Sequence, residues 1–175
     1  MKRSIFLLLL ILPLFVLPLS SSLAQEPGGQ IESLQVSFWP DFDDPSVLVL
    51  VTGQLPENSI LPAEISIPVP ENAEINAVAI IDEAGMVSVD FEEDDGAVTF
   101  VTMNPRFRVE YYAPYQQDGG SRSYDFEWLS ELSVNEMAAE IQQPANATNL
   151  SSEPGAGEVF TNQVDGLVYH SFDSL

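Results

Sequence analysis

The chain has 175 residues, of which 27 are acidic and five are basic, so its formal net charge at pH 7 is −22. Nucleic acid binding and adsorption to an anionic membrane both need several Lys or Arg side chains, and this composition excludes both. The sequence also has one histidine and no cysteine, which excludes a thiol nucleophile and a zinc site built from several nitrogen or sulfur ligands.

The N-terminus has the three parts of a secretion signal. Lys2 and Arg3 precede an apolar run over residues 5–19, and small residues follow up to Ala24. The run is shorter than the ~20 residues of a membrane-spanning helix. We therefore expect cleavage after Ala24 and an extracytoplasmic location, either secreted or periplasmic. Membrane contact is expected only if the signal stays uncleaved.

Apolar and polar residues alternate along the rest of the chain, and turn residues interrupt them at short intervals, which predicts β-strands. The Val47–Val51 run is apolar throughout, as is typical of a strand buried on both faces. Asp95-Gly96 lies between two alternating runs and predicts a β-hairpin. The predicted strands are 31–38, 47–51, 63–69, 75–81, 86–91, 97–103, 107–113, 122–128, 130–141, 157–161 and 167–172.

Two of these segments carry alternating aromatic residues. Phe107, Val109 and Tyr111 share one face of the first, while Tyr124, Phe126 and Trp128 share one face of the second, and we expect both sets in the core. The outward residues Glu110, Asp125 and Glu127 would then face the same way on neighbouring strands. Residues 130–141 have a helix-like start resembling a capping box, but the β flanks and Pro144 favour a strand.

About ten short strands with little helix predict an all-β protein, namely an antiparallel β-sandwich of the immunoglobulin-like or jelly-roll-like kind. An up-and-down barrel is the alternative. The predicted organisation is a signal peptide at 1–24, a short linker at 25–30, a β-sandwich core at 31–144, a polar loop at 145–157 and C-terminal strands of the same domain at 158–175.

Several short motifs occur in an order that is itself informative. They are Trp39-Pro40-Asp41-Phe42-Asp43-Asp44-Pro45, Asn76-Ala77-Val78-Ala79, Glu110-Tyr111-Tyr112, Gln142-Gln143-Pro144 and Asp165-Gly166-Leu167 with Tyr169-His170. Together they resemble an uncharacterised family of exported bacterial β-sandwich modules. The resemblance covers most of residues 31–172 and implies a signal peptide, a β-sandwich and often a C-terminal membrane helix, which this sequence does not contain up to Leu175. It implies no activity and no catalytic residues.

One acidic loop suggests a calcium site. Asp41, Asp43 and Asp44 lie between Pro40 and Pro45, and Ca²⁺ takes six to eight oxygen ligands. We predict these three carboxylates as calcium ligands, with ordinary turn residues as the alternative. A second acidic run at 92–95 lies on a predicted hairpin tip, where we expect diffuse counter-ions only.

The other residues that could serve catalysis or sugar binding also have simpler structural roles. Glu110, Asp125 and Glu127 could form a glycosidase-like carboxylate pair, but a solvated face with Arg108 as counter-ion is the expected reading. His170 is expected to be structural. Four aromatic residues in or beside loops could instead stack on sugar rings; they are Trp39, Phe42, Tyr112 and Tyr115.

The sequence contains no nucleophile–base set beyond common acids, so no catalytic residues and no enzyme activity are predicted. We expect an exported, non-catalytic module with a binding or interaction role and an unknown protein or glycan partner. The alternatives are a carboxylate-dependent hydrolase and a calcium-dependent carbohydrate-binding module. No cofactor other than calcium is predicted.

Overall fold

A computed structural model describes residues 29–173, which form thirteen β-strands and no helix. The all-β prediction is therefore confirmed, and the predicted signal peptide lies outside the described residues. The strands are β1 (Gln30–Pro40), β2 (Val47–Gln54), β3 (Ala63–Pro68), β4 (Glu74–Asp82), β5 (Gly85–Ser88), β6 (Phe91–Asp94), β7 (Ala97–Thr102), β8 (Arg106–Ala113), β9 (Gln116–Asp118), β10 (Ser121–Ser123), β11 (Ser133–Gln142), β12 (Glu158–Thr161) and β13 (Val168–Asp173).

The strands form two main sheets and one small hairpin. The large sheet has eight strands in the order β12-β13-β11-β1-β2-β8-β4-β5, the small sheet has three in the order β3-β7-β6, and β9 pairs with β10. Both main sheets are open within residues 29–173, so the barrel alternative is wrong. In that part of the chain, no helix is long and apolar enough to cross a bilayer.

One strand pair departs from the antiparallel prediction. β1 and β11 run parallel, with registers from Gln30 opposite Ser133 to Phe38 opposite Ile141. A parallel pair requires a long crossover connection, and the whole chain between the two strands supplies it. Local periodicity carries no information about strand direction, so the sequence pattern could not reveal this pair.

The core lies between the two main sheets. Because side chains alternate between the two faces of a strand, each sheet has an apolar face, and the apolar face of the small sheet packs against that of the large sheet. The Phe100 and Phe107 rings meet edge to face across this interface, with centroids 5.5 Å apart. The buried residues of this core include Ile65, Ile67, Val98 and Phe100 from the small sheet and Val49, Val51, Phe107, Val109 and Tyr111 from the large one.

Three local predictions are confirmed. All of Val47–Val51 is buried, as expected of a central strand covered on both faces. Asp95 and Gly96 have φ values of 47° and 75°, as the two central residues of a type I′ hairpin turn require. Ser133–Gln142 is strand β11 and not a helix, because pairing with β1 and β13 overrides the helix-like start.

The prediction that residues 122–128 form a strand of the sandwich is wrong. Ser121–Ser123 pairs only with Gln116–Asp118, and residues 124–132 belong to no strand. The alternation still has its expected effect, because Tyr124, Phe126 and Trp128 pack against the core. Phe126 meets Phe38 of β1 edge to face at 5.2 Å. An extended segment can cover a sheet without forming hydrogen bonds to it. Its side chains then alternate with the same two-residue period as those of a paired strand, so the sequence pattern does not distinguish the two.

Candidate functional site

The loop between β1 and β2 is a compact turn, and it contains the predicted calcium ligands. Asp41 has a positive φ of 54°, which aspartate tolerates better than most residues. Its amide donates to the Ser46 carbonyl at 3.0 Å, and the Ser46 amide donates to the Asp44 carbonyl at 2.8 Å. Backbone hydrogen bonds therefore close this loop at its base.

Side chains from distant parts of the sequence fix the loop further. The Tyr115 hydroxyl accepts a hydrogen bond from the Asp41 amide at 2.8 Å and donates one to Asp41 Oδ1 at 3.0 Å. Arg122 forms an ion pair with the other carboxylate oxygen of Asp41 and lies 5.3 Å from the centre of the Tyr115 ring. The Tyr112 hydroxyl donates to Asp43 Oδ1 at 2.6 Å. Two of the three loop carboxylates thus have protein partners.

These contacts keep both tyrosines protonated. The hydrogen bond to Asp43 is the main cause that raises the pKa of Tyr112 to about 12, because a phenolate would lose this bond and repel the carboxylate. Burial, followed by the hydrogen bond to Asp41, raises the pKa of Tyr115 to about 12. Both hydroxyls therefore act as donors to carboxylates over the whole physiological range.

An aromatic pair lies beside this network. The ring centroids of Trp39 and Phe42 are 5.0 Å apart, at an interplanar angle of 47°. Trp39 is half-buried, and its indole N–H has no hydrogen-bond partner within residues 29–173. Phe42 is 51% exposed. We call residues Trp39–Ser46 the aromatic loop. The structure places all four predicted aromatic residues in or against it, although both tyrosine hydroxyls are directed to aspartates.

The geometry gives the calcium prediction no support. In the described part of the chain, no three Asp, Glu or His side chains come together as a group able to hold a metal ion. Asp41 bonds to Arg122 and Tyr115, and Asp43 bonds to Tyr112. A calcium site at Asp41, Asp43 and Asp44 stays a prediction.

Sequence reasoning missed the role of Arg122, because no local signal links it to a loop about 80 positions away.

The carboxylates considered for catalysis are separated by the topology. Glu110 lies on β8 between β2 and β4, where Arg108 approaches it to 3.8 Å and the Asn76 amide donates to it at 3.1 Å. Asp125 and Glu127 lie outside every strand, so the expectation that they flank Glu110 on a neighbouring strand is wrong. The Gln116 side-chain amide donates to Asp125 at 3.2 Å.

The single histidine occupies a structural position. His170 lies on β13 opposite Ile141, is half-buried, and places Nε2 3.1 Å from Gln143 Oε1. Nothing nucleophilic is among its hydrogen-bond partners in the described residues.

Comparisons with known proteins bear on the fold alone. No family model and no curated protein matches the sequence. The fold is similar to that of an M1 zinc metallopeptidase from Deinococcus radiodurans, with a TM-score of 0.52 at 15% identity over 85% of this chain and 39% of that one. Legionella pneumophila aminopeptidase A gives a TM-score of 0.47 at 9% identity over 83% of this chain and 19% of that one. This chain therefore spans well under half the length of either peptidase.

The zinc named for the Deinococcus protein does not fit the residues present. Catalytic zinc is usually held by three protein ligands, of which two or three are His or Cys. The whole sequence offers one histidine and no cysteine, and that histidine bonds to Gln143. The protein is thus a two-layer β module, and its candidate site is the aromatic loop, which side-chain hydrogen bonds hold at the surface.

Proposed function

We propose that this chain is an exported, non-catalytic β-sandwich module that binds a partner through its aromatic loop. The exposed Phe42 ring is the main support for this proposal. This ring is half exposed and packs on Trp39. The loop is held by Tyr115 through the Asp41 amide and by Tyr112 and Arg122 through the carboxylates of Asp43 and Asp41. A surface held in one conformation loses little entropy on binding, and this lowers the cost of association.

A glycan is the partner that this surface favours. Sugar rings present an apolar C–H face, which stacks on aromatic rings, and a rim of hydroxyl groups that bond to carboxylates. The loop has both features, because Phe42 lies next to Asp43 and Asp44 in the sequence and Asp44 has no side-chain hydrogen bond in the described structure. A protein ligand would need a larger surface, of the order of 800 Å² on each partner.

The test is a binding screen with single surface substitutions. The secreted chain is titrated against a panel of soluble polysaccharides, and Phe42→Ser is compared with Ile60→Ser. Ile60 is 82% exposed and lies outside the aromatic loop, so it controls for loss of a surface hydrophobic group. We expect Phe42→Ser to weaken binding about tenfold or more and Ile60→Ser to leave it unchanged. Equal effects of both substitutions, or no binding in the panel, would contradict the proposal.

A peptidase-related role is the second candidate, and only the likeness to the Deinococcus metallopeptidase favours it. In this second candidate function, the chain itself would cleave aminoacyl substrates when Zn²⁺ is supplied. Incubation of the purified chain with fluorogenic aminoacyl substrates and added Zn²⁺ tests it. Turnover above the buffer control would overturn the non-catalytic proposal.

A further inference from the structure

The sandwich has an open side where two edge strands follow one another. β5 is an edge of the large sheet, β6 is an edge of the small sheet, and only residues 89–90 connect them. Every residue of both strands is exposed. We call the unpaired side of Phe91–Asp94 the β6 edge.

Within residues 29–173, the backbone of the β6 edge has donors and acceptors without a partner strand. β6 and β7 are joined by the two-residue turn Asp95-Gly96, with Asp94 opposite Ala97. In such hairpins the residues that flank the turn form a hydrogen-bonded pair, and bonding alternates along the strand. The amide and carbonyl groups of Glu93 and Phe91 therefore point away from β7, and these groups form a template for a further strand.

Each of the two edge strands has an exposed apolar side chain. Phe91 is opposite the buried Phe100 and is 42% exposed, and Val87 of β5 is opposite Ile80 and is 47% exposed. A shallow depression of about 500 Å³ lies at the start of β6, with Phe91, Phe100 and Val101 among its lining residues. The acidic residues of this short edge strand protect it against pairing with another acidic edge, but the exposed Phe91 ring leaves an apolar contact for a strand of opposite charge.

Charge identifies the kind of occupant. Asp90 and Glu92, Glu93 and Asp94 form a continuous acidic flank on Phe91, and none of the four has an ion-pair partner in the described residues. A second copy of this chain would bring a strongly acidic surface against them, and like charges on adjacent strands repel. A basic segment would be attracted.

We infer that the β6 edge accepts an extended, basic segment of another protein as an additional antiparallel strand. One face of the added strand would meet Phe91 and Glu93 with apolar and basic side chains, and the other face would meet Glu92 and Asp94 with basic side chains. Strand addition of this kind takes affinity from main-chain hydrogen bonds and specificity from alternate side chains. The surface is separate in sequence and topology from the aromatic loop, so this inference does not depend on the proposed function.

The test uses a short labelled peptide that alternates lysine with valine or threonine, titrated against the secreted chain by fluorescence anisotropy at physiological ionic strength. Glu93→Pro removes an outward amide, and proline is tolerated at such edge positions. Glu93→Gln removes the same charge and keeps the amide, so it is the matched control. The double substitution E92K/D94K reverses the outer charges, and circular dichroism of each variant checks the fold.

Strand addition predicts saturable one-to-one binding that Glu93→Pro weakens about five- to tenfold relative to Glu93→Gln, the effect of a lost backbone hydrogen bond. E92K/D94K should abolish it, and a peptide with alternate N-methylated amides should not bind. Equal affinity of the Pro and Gln variants would show a purely electrostatic contact and overturn the inference. Absence of binding by the unsubstituted chain would overturn it as well.

Discussion

Asp41 and Tyr115 exchange two hydrogen bonds although 74 positions separate them in the sequence. The Asp41 amide donates to the Tyr115 hydroxyl at 2.8 Å, and this hydroxyl donates to Asp41 Oδ1 at 3.0 Å. One side chain thus satisfies both the backbone and the carboxylate of a residue held at positive φ. The aromatic loop therefore depends on the position of the segment after β8.

Tyr115→Phe should lower the free energy of unfolding by about 1 kcal/mol. The loss is limited because the Asp41 amide keeps the Ser46 carbonyl and its carboxylate keeps Arg122. Urea unfolding of Tyr115→Phe, Asp41→Gly and the double variant measures it, since glycine accepts the positive φ without strain. A coupling energy near zero in this cycle would show that the Asp41 carboxylate and the Tyr115 hydroxyl do not interact in solution.

Alkaline pH should unfold the protein and ionise its tyrosines together. All five tyrosines have a raised pKa, to about 12 for Tyr112 and Tyr115 and mainly through burial for the other three, Tyr111, Tyr124 and Tyr169. A raised pKa means that the folded chain binds the phenolic proton more tightly. The resulting stabilisation is fully present below the unfolded value of about 10 and is lost as pH rises to about 12.

Absorbance at a phenolate wavelength and far-ultraviolet circular dichroism, followed on the same samples, check this behaviour. The two signals should change in parallel above pH ~10. Asp43→Asn should shift the ionisation of Tyr112 towards lower pH, because an amide repels a phenolate less than a carboxylate does. Tyrosine ionisation near pH ~10 with an unchanged dichroism spectrum would contradict the tyrosine environments described above.

Gly53→Ala should destabilise the protein by about 1–3 kcal/mol through overpacking. A Cβ atom at Gly53 would lie only 2.7 Å from both Cε atoms of Phe107, its partner on β8, and that ring is fully buried. Phe107→Leu should partly rescue Gly53→Ala because it removes the overlapping ring. Gly120→Ala is the matched control, since nothing lies near its Cβ position. Equal melting temperatures of the two glycine variants would exclude this close approach.

Salt should stabilise the fold. The sequence has 27 acidic residues, whereas only two ion pairs, Arg108 with Glu110 and Arg122 with Asp41, occur in the described residues. Repulsion among the remaining carboxylates opposes compaction, and salt screens it. The melting temperature should rise as NaCl increases to molar concentrations, and a flat response would show that the acids are already compensated.

Calorimetric titration with Ca²⁺ in molar NaCl tests the predicted metal site. Specific binding at the aromatic loop should be lost in Asp43→Ala and Asp44→Ala and retained in Asp94→Ala and Asp95→Ala. Because Arg122 competes for the Asp41 carboxylate, Arg122→Gln should tighten any binding that uses this ligand. Heat that disappears only with the hairpin substitutions would contradict the site.

Local patterns predicted the elements whose cause is local. Alternation located the strands, and the apolar run of Val47–Val51 marked a central strand. The Asp95-Gly96 pair marked a hairpin because few residues accept the positive φ of a type I′ turn. The same reasoning placed Phe107, Val109 and Tyr111 in the core, because side chains alternate across any strand regardless of its partner.

Strand content, the excess of acidic residues and the aromatic residues of the loop were predictable from the sequence, since each follows from composition or from the period of apolar residues. The choice of neighbouring strands is instead a property of the packed fold. That fold set β1 parallel to β11, left Tyr124–Trp128 outside the ladder, and brought Tyr115 and Arg122 to Asp41. These contacts are non-local, and they form because of the free energy of the whole packed core. A local pattern of side chains therefore cannot predict them.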